Sequence, residues 1–390
     1  MTIKLAHIPK VFFLITLLFY CLASVLNLRA MEYSVDSGPL AGIVISATFA
    51  IWSLSFVKLA IPRYKLYMPT WTISLYCLFA LWGVIPTLLA SNSTTNELIF
   101  NTVMVLTPAL ILYITYNTIV NCGDSKWFHA YFLITALLLS LQYINVYREV
   151  NFLETLHLVC SYYVLYILPL VLLTRSKALR ITAVFLVTII LFSSLKRTGI
   201  LSLAMGIMVF IFVGQYVENR FKVKSFAISL VLLLSLGGIF LYLDTQGDES
   251  VLERFETIDQ DHGSFRLEVW EHTSAMISNQ DVGSLLIGNG YNTVERDSRL
   301  NKSAHNDILE VTYDYGLIGA ILYIAAIISL FFCIVRMILN KSPYAPSLSM
   351  LFVIYMVSSM ISHIIIYYWG NLFMLTIGYI IGNNKKDAAD

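Results

Sequence analysis

The sequence is poor in charged residues, which make up only 13% of its 390 residues. Soluble domains carry about 25% charged residues. Hydrophobic residues make up 58% of the chain, so it has far too little charge for a surface that faces water throughout. This composition excludes a soluble globular protein. The formal net charge of +1 gives no sign of a polyanionic partner, and we expect no nucleic-acid partner.

Paired cysteines and the motifs of common soluble enzymes are also missing. The five cysteines are widely spaced, form no CxxC pair, and are interpreted as packing residues: Cys21, Cys77, Cys122, Cys160 and Cys333. The sequence has no glycine-rich P-loop, no GxSxG turn and no convincing pair of carboxylates. The spacing of His262, His272 and His305 matches no zinc-ligand motif. We therefore expect neither a metal nor a cofactor.

The sequence is instead rich in apolar runs of about twenty residues, the length of a helix that crosses a bilayer. We predict an all-α integral membrane protein with about twelve transmembrane helices. The predicted spans are 11–28, 39–60, 70–90, 98–116, 127–146, 156–174, 180–195, 198–217, 225–243, 314–335, 347–366 and 369–382.

The positions of lysine and arginine predict the orientation of these spans. Cytoplasmic loops retain basic residues, and most of the basic residues fall in alternate short loops, for example Lys58, Arg63 and Lys65. We expect both termini to be cytoplasmic, and we interpret the first apolar run, 11–28, as a retained helix rather than a cleaved signal peptide.

One loop, 244–308, is much longer than ordinary connections and holds about half of the acidic residues. It divides the chain into an N-terminal bundle (1–243, about nine spans), a large loop on the non-cytoplasmic side (244–308) and a C-terminal bundle (309–390, about three spans). Apolar residues along the loop predict a small, partly helical cap. Residues 264–278 have helical periodicity, and 285–290 end in a Gly-Asn-Gly turn.

Arg197 is the most informative single residue, because it lies between two apolar runs on the side that should lack positive charge. Two interpretations are open. Arg197 extends to the phosphates of the bilayer, or it binds a phosphate-bearing ligand at the outer face, for which its forked guanidinium is suited. Lys196 beside it shares this position.

Two further residues in the long loop are candidates for chemistry. Arg266 either pairs with Glu268 or Glu271 as an ordinary loop residue, or binds a ligand. His305, where the loop returns to the membrane, is either structural or a general base. Asn306 and Asp307 beside it are suited to cap the next helix.

Three segments in this order resemble the superfamily of bacterial O-antigen polymerases and O-antigen ligases. His305-Asn306 followed by nine residues and Gly316-Leu-Ile-Gly319 resembles its His-Asn-x9-Gly-x-x-Gly signature. Ser194-Leu-Lys-Arg197-Thr-Gly199 resembles its Ser-x-x-Arg-x-Gly turn. Ser264-Phe-Arg266 and Ile287-Gly-Asn-Gly290-Tyr291 resemble its loop arginine and Gly-x-Gly-Tyr segment. The motif positions other than the charged ones are Asn306, Gly199, Gly288, Gly290, Tyr291, Gly316 and Gly319.

The resemblance implies a GT-C-like enzyme of the bacterial inner membrane that acts on glycans carried by undecaprenyl diphosphate at the periplasmic face. It implies that Arg197 and Arg266, with Lys196, hold the donor diphosphate, and that His305 orients or deprotonates the acceptor hydroxyl. Glu310, five residues on, either orients the imidazole or fills a polar pocket. No metal or nucleotide cofactor is implied. A chain-length regulator protein is an open further partner.

Three functions remain open at this point. A polymerase of O-antigen or capsular polysaccharide joins lipid-linked repeat units. A ligase moves the finished glycan onto lipid A–core and shares the donor chemistry. A transporter of lipid-linked sugars is disfavoured, because transporters place ionisable residues near the bilayer midplane, whereas the polar residues here gather in the outer loop. We favour the polymerase.

Overall fold

The computed structural model describes residues 67–90, 94–123, 160–174, 176–193, 197–219, 227, 266–361 and 369–388. Every regular element in these residues is a helix. In chain order they are α1 (Trp71–Leu89), α2 (Thr95–Cys122), α3 (Cys160–Val171), α4 (Lys177–Ser193), α5 (Arg197–Val217), α6 (Arg266–Ser278), α7 (Val282–Ile287), α8 (Thr293–Asp297), α9 (Asp307–Leu339), α10 (Ala345–Ile361) and α11 (Trp369–Asp387). The predicted spans 11–28, 39–60 and 127–146 lie outside the described residues, as do Lys196, His262 and all of 225–243 except residue 227.

Four of these helices contain stretches long and apolar enough to cross a membrane: Trp71–Leu89, Thr95–Asn121, Thr198–Val217 and Asp307–Leu339. Large apolar side chains project from their surfaces, among them Leu81, Ile321 and Phe332, each at least 60% exposed. Water would disfavour such a surface, whereas lipid accommodates it. The described part of the chain therefore fits an integral membrane protein with several membrane-spanning helices.

The largest difference from the predicted spans is at α9, which begins at Asp307 rather than near residue 314. Its first two turns carry Asp307, Glu310 and Asp314, and hydropathy alone placed the first two of these outside the predicted span. All three carboxyl groups are fully buried, which allows the helix to continue through this polar stretch. The smaller differences are that α4 covers 177–193 instead of 180–195, and α11 continues to residue 387.

The described helices fall into two compact units. In the first unit, α11 packs closely on the second half of α2. A Cβ on Gly378 would lie 2.6 Å from the carbonyl oxygen of Leu112, and one on Gly382 would lie 2.9 Å from Ile119. The four-residue spacing of these glycines is the small-residue pattern by which helices approach each other in membranes.

In the second unit, α1 lies antiparallel to α9. Thr72 Oγ1 is 3.0 Å from Ser329 Oγ, and Trp82 Nε1 donates a 2.9 Å hydrogen bond to the Tyr315 carbonyl. The end of α1 therefore reaches the first turns of α9. These contacts fix α1 and α9 along most of the length of α1.

The second unit also contains an antiparallel pair formed by α5 and α10. A Cβ on Gly214 would lie 3.8 Å from Pro346, and a Cβ on Gly206 would lie 3.0 Å from Ile354. The two contacts are eight residues apart on both helices, so they fix one register for the pair.

The end of α5 is also fixed to the end of α9. Lys341 Nζ donates a 2.8 Å hydrogen bond to the Tyr216 carbonyl and lies 3.2 Å from the centre of the Tyr216 ring. Since α5 and α9 meet at their C-terminal ends, their first turns lie at the opposite end of the unit.

The segment from α6 to α8 folds onto the first turns of α9. Its buried cluster consists of Val294, Ala304 and Tyr313, with Met276, Ile277 and Leu309 packed against it. The helix predicted over 264–278 is confirmed for 266–278, with Val269 and Thr273 buried as the periodicity predicted. The end of the long loop is therefore packed on α9 and is not a free linker.

Candidate functional site

The site begins with a stripe of carboxyl groups on α9. Asp307, Glu310 and Asp314 are spaced three and four residues apart, which places them on one face of the helix. Each is fully buried, and each has a hydrogen-bond donor. Buried carboxyl groups are costly unless they are hydrogen-bonded, so the segments around the stripe must supply donors to it.

Glu310 fixes the backbone next to His305. Its Oε2 accepts a 2.6 Å hydrogen bond from the backbone N–H of Ala304, while its Oε1 has no partner in the described part of the chain. If a helix included both residues, Glu310 would lie on nearly the same side as His305, but the structure does not have this relation. His305 precedes α9 and has φ 51°, so the helical repeat does not extend to it.

Asn306, on the other side of His305, caps α9 as the sequence suggested. Its Oδ1 accepts hydrogen bonds from the N–H groups of Ile308 (3.0 Å) and Leu309 (3.2 Å). Its Nδ2 donates a 3.2 Å hydrogen bond to the Met360 carbonyl on α10. Both neighbours of His305 are thus held by specific hydrogen bonds.

His305 itself has a left-handed backbone conformation and is partly exposed. Non-glycine residues seldom adopt this conformation, although histidine does so more often than most. Such conformations persist where the surroundings enforce them, and they concentrate at functional sites. Glu310 and Asn306 provide that enforcement here.

The contact with Met360 also relates His305 to Arg197. Continuing the register of α5 and α10 by six residues places Met360 level with Ile200, in the first turn of α5. Because Asn306 binds the Met360 carbonyl, His305 and the backbone of Arg197 lie at the same end of the unit, within about one or two helical turns of the same level. Gly199 is buried in this first turn.

Arg266 is the first residue of α6, as Arg197 is of α5. Its side chain is partly exposed. The cluster that holds α6 contacts its other end, at Met276, which is ten residues or ~15 Å of helix rise away. The structure therefore attaches the helix of Arg266 to the segment of His305, while Arg266 lies at the end of α6 that is remote from that cluster.

His272, the other histidine described in the loop, has a structural contact. Its Nε2 accepts a 3.3 Å hydrogen bond from the backbone N–H of Arg299. Among the residues that the structure describes, no three His, Cys, Asp or Glu side chains converge as metal ligands.

The motif glycines form a close crossing between the loop and α9. Gly316 interrupts α9 with φ 69°, and a Cβ there would lie 2.3 Å from the Leu286 carbonyl oxygen. Gly288 has φ 97°, and a Cβ there would lie 2.3 Å from the Asp314 carbonyl oxygen. Only glycine fits either position. Gly319, one turn after the kink, packs near the Trp82 ring.

The kink leaves carbonyl groups of α9 without helical partners, and the loop and α1 supply the donors. Asn289 donates its backbone N–H (3.3 Å) and its Nδ2 (3.0 Å) to the Tyr313 carbonyl. Gly290 N–H donates to the Asp314 carbonyl at 2.8 Å, and Trp82 donates to that of Tyr315. Backbone groups without helical partners in a membrane protein need other hydrogen-bond partners of this kind. The predicted Gly-Asn-Gly turn is confirmed; Tyr291, which follows it, is partly buried.

Asp314 is the functional-region residue that sequence reasoning missed most clearly. Its Oδ1 accepts hydrogen bonds from Thr293 N–H (3.0 Å), Thr293 Oγ1 (2.7 Å) and Val294 N–H (3.2 Å), and its Oδ2 accepts one from Asn292 N–H (2.8 Å). Asp314 thereby caps α8 from a different helix. Three acidic residues at helical spacing before an apolar run were the signal available in the sequence.

The elements around His305 were compared with known proteins. Residues 182–324 match the family model of O-antigen ligase. A comparison with curated proteins gave no match. The matched segment contains Arg197, Arg266, His305 and Glu310, and it ends in α9 just beyond the kink. This similarity supports the superfamily that the sequence motifs resemble, and it suggests a membrane enzyme that transfers glycans. It does not separate a polymerase from a ligase.

Proposed function

We propose that this protein is a polymerase that joins oligosaccharide repeat units carried on undecaprenyl diphosphate at the periplasmic face of the inner membrane. The match to the O-antigen ligase model carries the class of reaction, because it covers every candidate site residue. The geometry of His305 supports its assignment to the chemical step, since both its neighbours are hydrogen-bonded and its backbone is held in a rare conformation.

In the proposed reaction, a hydroxyl oxygen of the acceptor sugar attacks the anomeric carbon of the donor glycan. The bond from that carbon to the diphosphate oxygen breaks, and undecaprenyl diphosphate leaves with the electron pair. His305 accepts the hydroxyl proton as general base. Arg197 and Arg266, with Lys196, bind the diphosphate and stabilise the charge that develops on it.

One feature supports a phosphate-binding role for Arg197. The first described turn of α5 is level with Asn306, so a diphosphate bound there would be near the proposed base.

The second candidate function is the ligase, which the match to the O-antigen ligase family favours directly. Both reactions use the same donor and differ in the acceptor. Purified protein should therefore be incubated with lipid-linked repeat units alone and, separately, with added lipid A–core. Chain growth without core supports the polymerase, whereas product that forms only with core overturns it in favour of the ligase.

Replacement of His305 tests the enzyme class itself. His305→Ala should reduce glycan transfer by about 10²- to 10⁴-fold, the usual contribution of a general base. His272→Ala, which removes an imidazole from the same region, is the matched control and should retain most of the activity. If His305→Ala transfers glycan like the unmodified protein, or if the protein moves lipid-linked sugars across vesicles without any transfer, the proposed reaction is wrong.

A further inference from the structure

A cavity of about 470 Å³ lies between the end of α1 and the α7–α8 segment. Its volume falls within the range of ~300–1,000 Å³ that is usual for small-molecule sites. The walls combine apolar side chains, among them Pro86, Leu89 and Ile287, with polar ones, among them Asn289, Arg296 and Asp297. None of them belongs to the transfer site described above.

Arg296 is fixed in the wall of this cavity by Asp297. Its Nε donates to Asp297 Oδ1 at 2.8 Å and its Nη2 to Oδ2 at 3.2 Å, while Tyr313 of α9 donates to the same Oδ2 at 3.1 Å. The hydrogen bond to Asp297 raises the pKa of Arg296, so the guanidinium remains charged. A guanidinium has five N–H donors. Within the described residues, the two bonds to Asp297 leave three of these donors for a ligand.

The charge in the cavity disfavours a diphosphate. Arg296 is the basic residue of the lining, and its charge is matched by Asp297 through a bidentate contact. Asp281, the other acidic residue of the lining, accepts hydrogen bonds from the Ser284 hydroxyl and from backbone N–H groups, which lower its pKa and keep it anionic. A phosphate group would face more negative than positive charge.

The same groups suit a sugar. Sugar hydroxyls both donate and accept hydrogen bonds, so they can pair with guanidinium N–H donors and with carboxylate oxygens. Asn289 uses an amide N–H to bind the Tyr313 carbonyl and leaves its amide oxygen as an acceptor. Pro86, Leu89 and Ile287 provide apolar surface for the C–H faces of a sugar ring.

We propose that this cavity is a subsite for uncharged sugar residues of the lipid-linked glycan. The assignment of the ligand rests on the proposed function. The position is consistent with a glycan that extends from the transfer centre. Tyr313, which donates a hydrogen bond to Asp297 of the cavity wall, is six residues, or ~9 Å of helix rise, from Asp307 next to the His305 segment.

The test uses the full-length protein in lipid nanodiscs and two probes: the repeat-unit oligosaccharide, freed from its lipid diphosphate by mild acid, and inorganic diphosphate. Arg296→Gln removes the guanidinium, and Leu89→Trp narrows the cavity from α1 without touching any of these hydrogen bonds. Arg296→Gln should weaken oligosaccharide binding about tenfold, the scale of one lost charged hydrogen bond. Leu89→Trp should weaken it by a similar factor, because the larger side chain occupies space that the sugar needs. Arg299→Gln makes the same charge change on the same segment outside the cavity, and should bind within about twofold of the unmodified protein.

Transfer kinetics separate the subsite from the proposed function. In the variants we expect a higher KM for the lipid-linked glycan with little change in kcat, the pattern of lost uniform binding. If the unmodified protein transfers glycan but both variants bind the oligosaccharide normally, the subsite is overturned and the proposed function stands. If the unmodified protein shows no transfer, but both variants bind the oligosaccharide more weakly than it does, the proposed function fails and the subsite stands. Loss of diphosphate binding alone in Arg296→Gln would make the cavity an anion site and overturn the proposal.

Discussion

Replacing Gly316 by alanine is the sharpest test of the crossing between the loop and α9. At φ 69° and ψ −177° this residue has a backbone conformation that only glycine adopts readily, and the added Cβ would lie 2.3 Å from the Leu286 carbonyl oxygen. The carbonyl belongs to backbone, so it cannot move aside as the end of a flexible side chain would.

The expected magnitude follows from two contributions. The strained backbone costs about 1–3 kcal/mol, and the forced separation of two packed segments costs a similar ~1–3 kcal/mol. Together they amount to ~2–6 kcal/mol, a large fraction of the ~5–15 kcal/mol that stabilises a typical native protein. Gly288→Ala disturbs the same crossing from the loop side and should have an effect of the same order.

Thermal unfolding of the detergent-solubilised protein, followed by intrinsic fluorescence, measures the effect. The matched control is Gly214→Ala, because a Cβ there meets only Pro346, at an ordinary 3.8 Å, within a regular helix. Gly214→Ala should leave Tm unchanged or raise it, since alanine favours a helix over glycine. If Gly316→Ala has the same Tm as Gly214→Ala, the proposed reason for glycine at the kink is refuted.

Two further predictions concern the same region. Asp314→Asn keeps one acceptor but places an amide N–H₂ against donors of α8, so we expect a loss of about 1–3 kcal/mol in the free energy of unfolding, measured by thermal unfolding. Asp281→Asn, at an exposed cap, should lower Tm less. An equal decrease in both variants would contradict the role of burial. Asn306→Asp retains the oxygen that caps α9 but removes the amide donor to the Met360 carbonyl. Asn306→Ser removes the same donor without adding a negative charge. Both should keep most of the stability and lower transfer activity several-fold, and unchanged activity in both would show that the link to α10 is dispensable.

The sequence predicted the helical membrane class and most of the described spans, because apolar runs of the right length have few other structural solutions. It failed at the start of α9. Hydropathy places Asp307 and Glu310 outside the span, whereas burial and hydrogen bonds keep them inside the helix. Thr293 and Ala304 donate hydrogen bonds to two carboxyl groups in the first two turns of α9, and no local sequence pattern connects either residue to this helix.

For the candidate site as well, the sequence predicted some features and missed others. Motif spacing identified the turn at Gly288 and the cap at Asn306, since both depend on local backbone geometry. The role of Gly316 depends on the approach of a segment thirty residues earlier, so only the structure explains it. A helix that includes both His305 and Glu310 is not formed, because His305 lies before α9 in a left-handed conformation. The catalytic roles of Arg197, Arg266 and His305 stay predictions.

The segment that matches the O-antigen ligase model cannot form this site by itself. It ends at residue 324, yet Trp82 of α1 supplies a donor to the kink and Met360 of α10 accepts the hydrogen bond from Asn306. Both helices lie outside the match. The positions of the proposed base and of the first turn of α5 are therefore set in part by residues that the similarity does not cover. It follows that changes in α1 or α10 should alter glycan transfer even where the matched segment is intact.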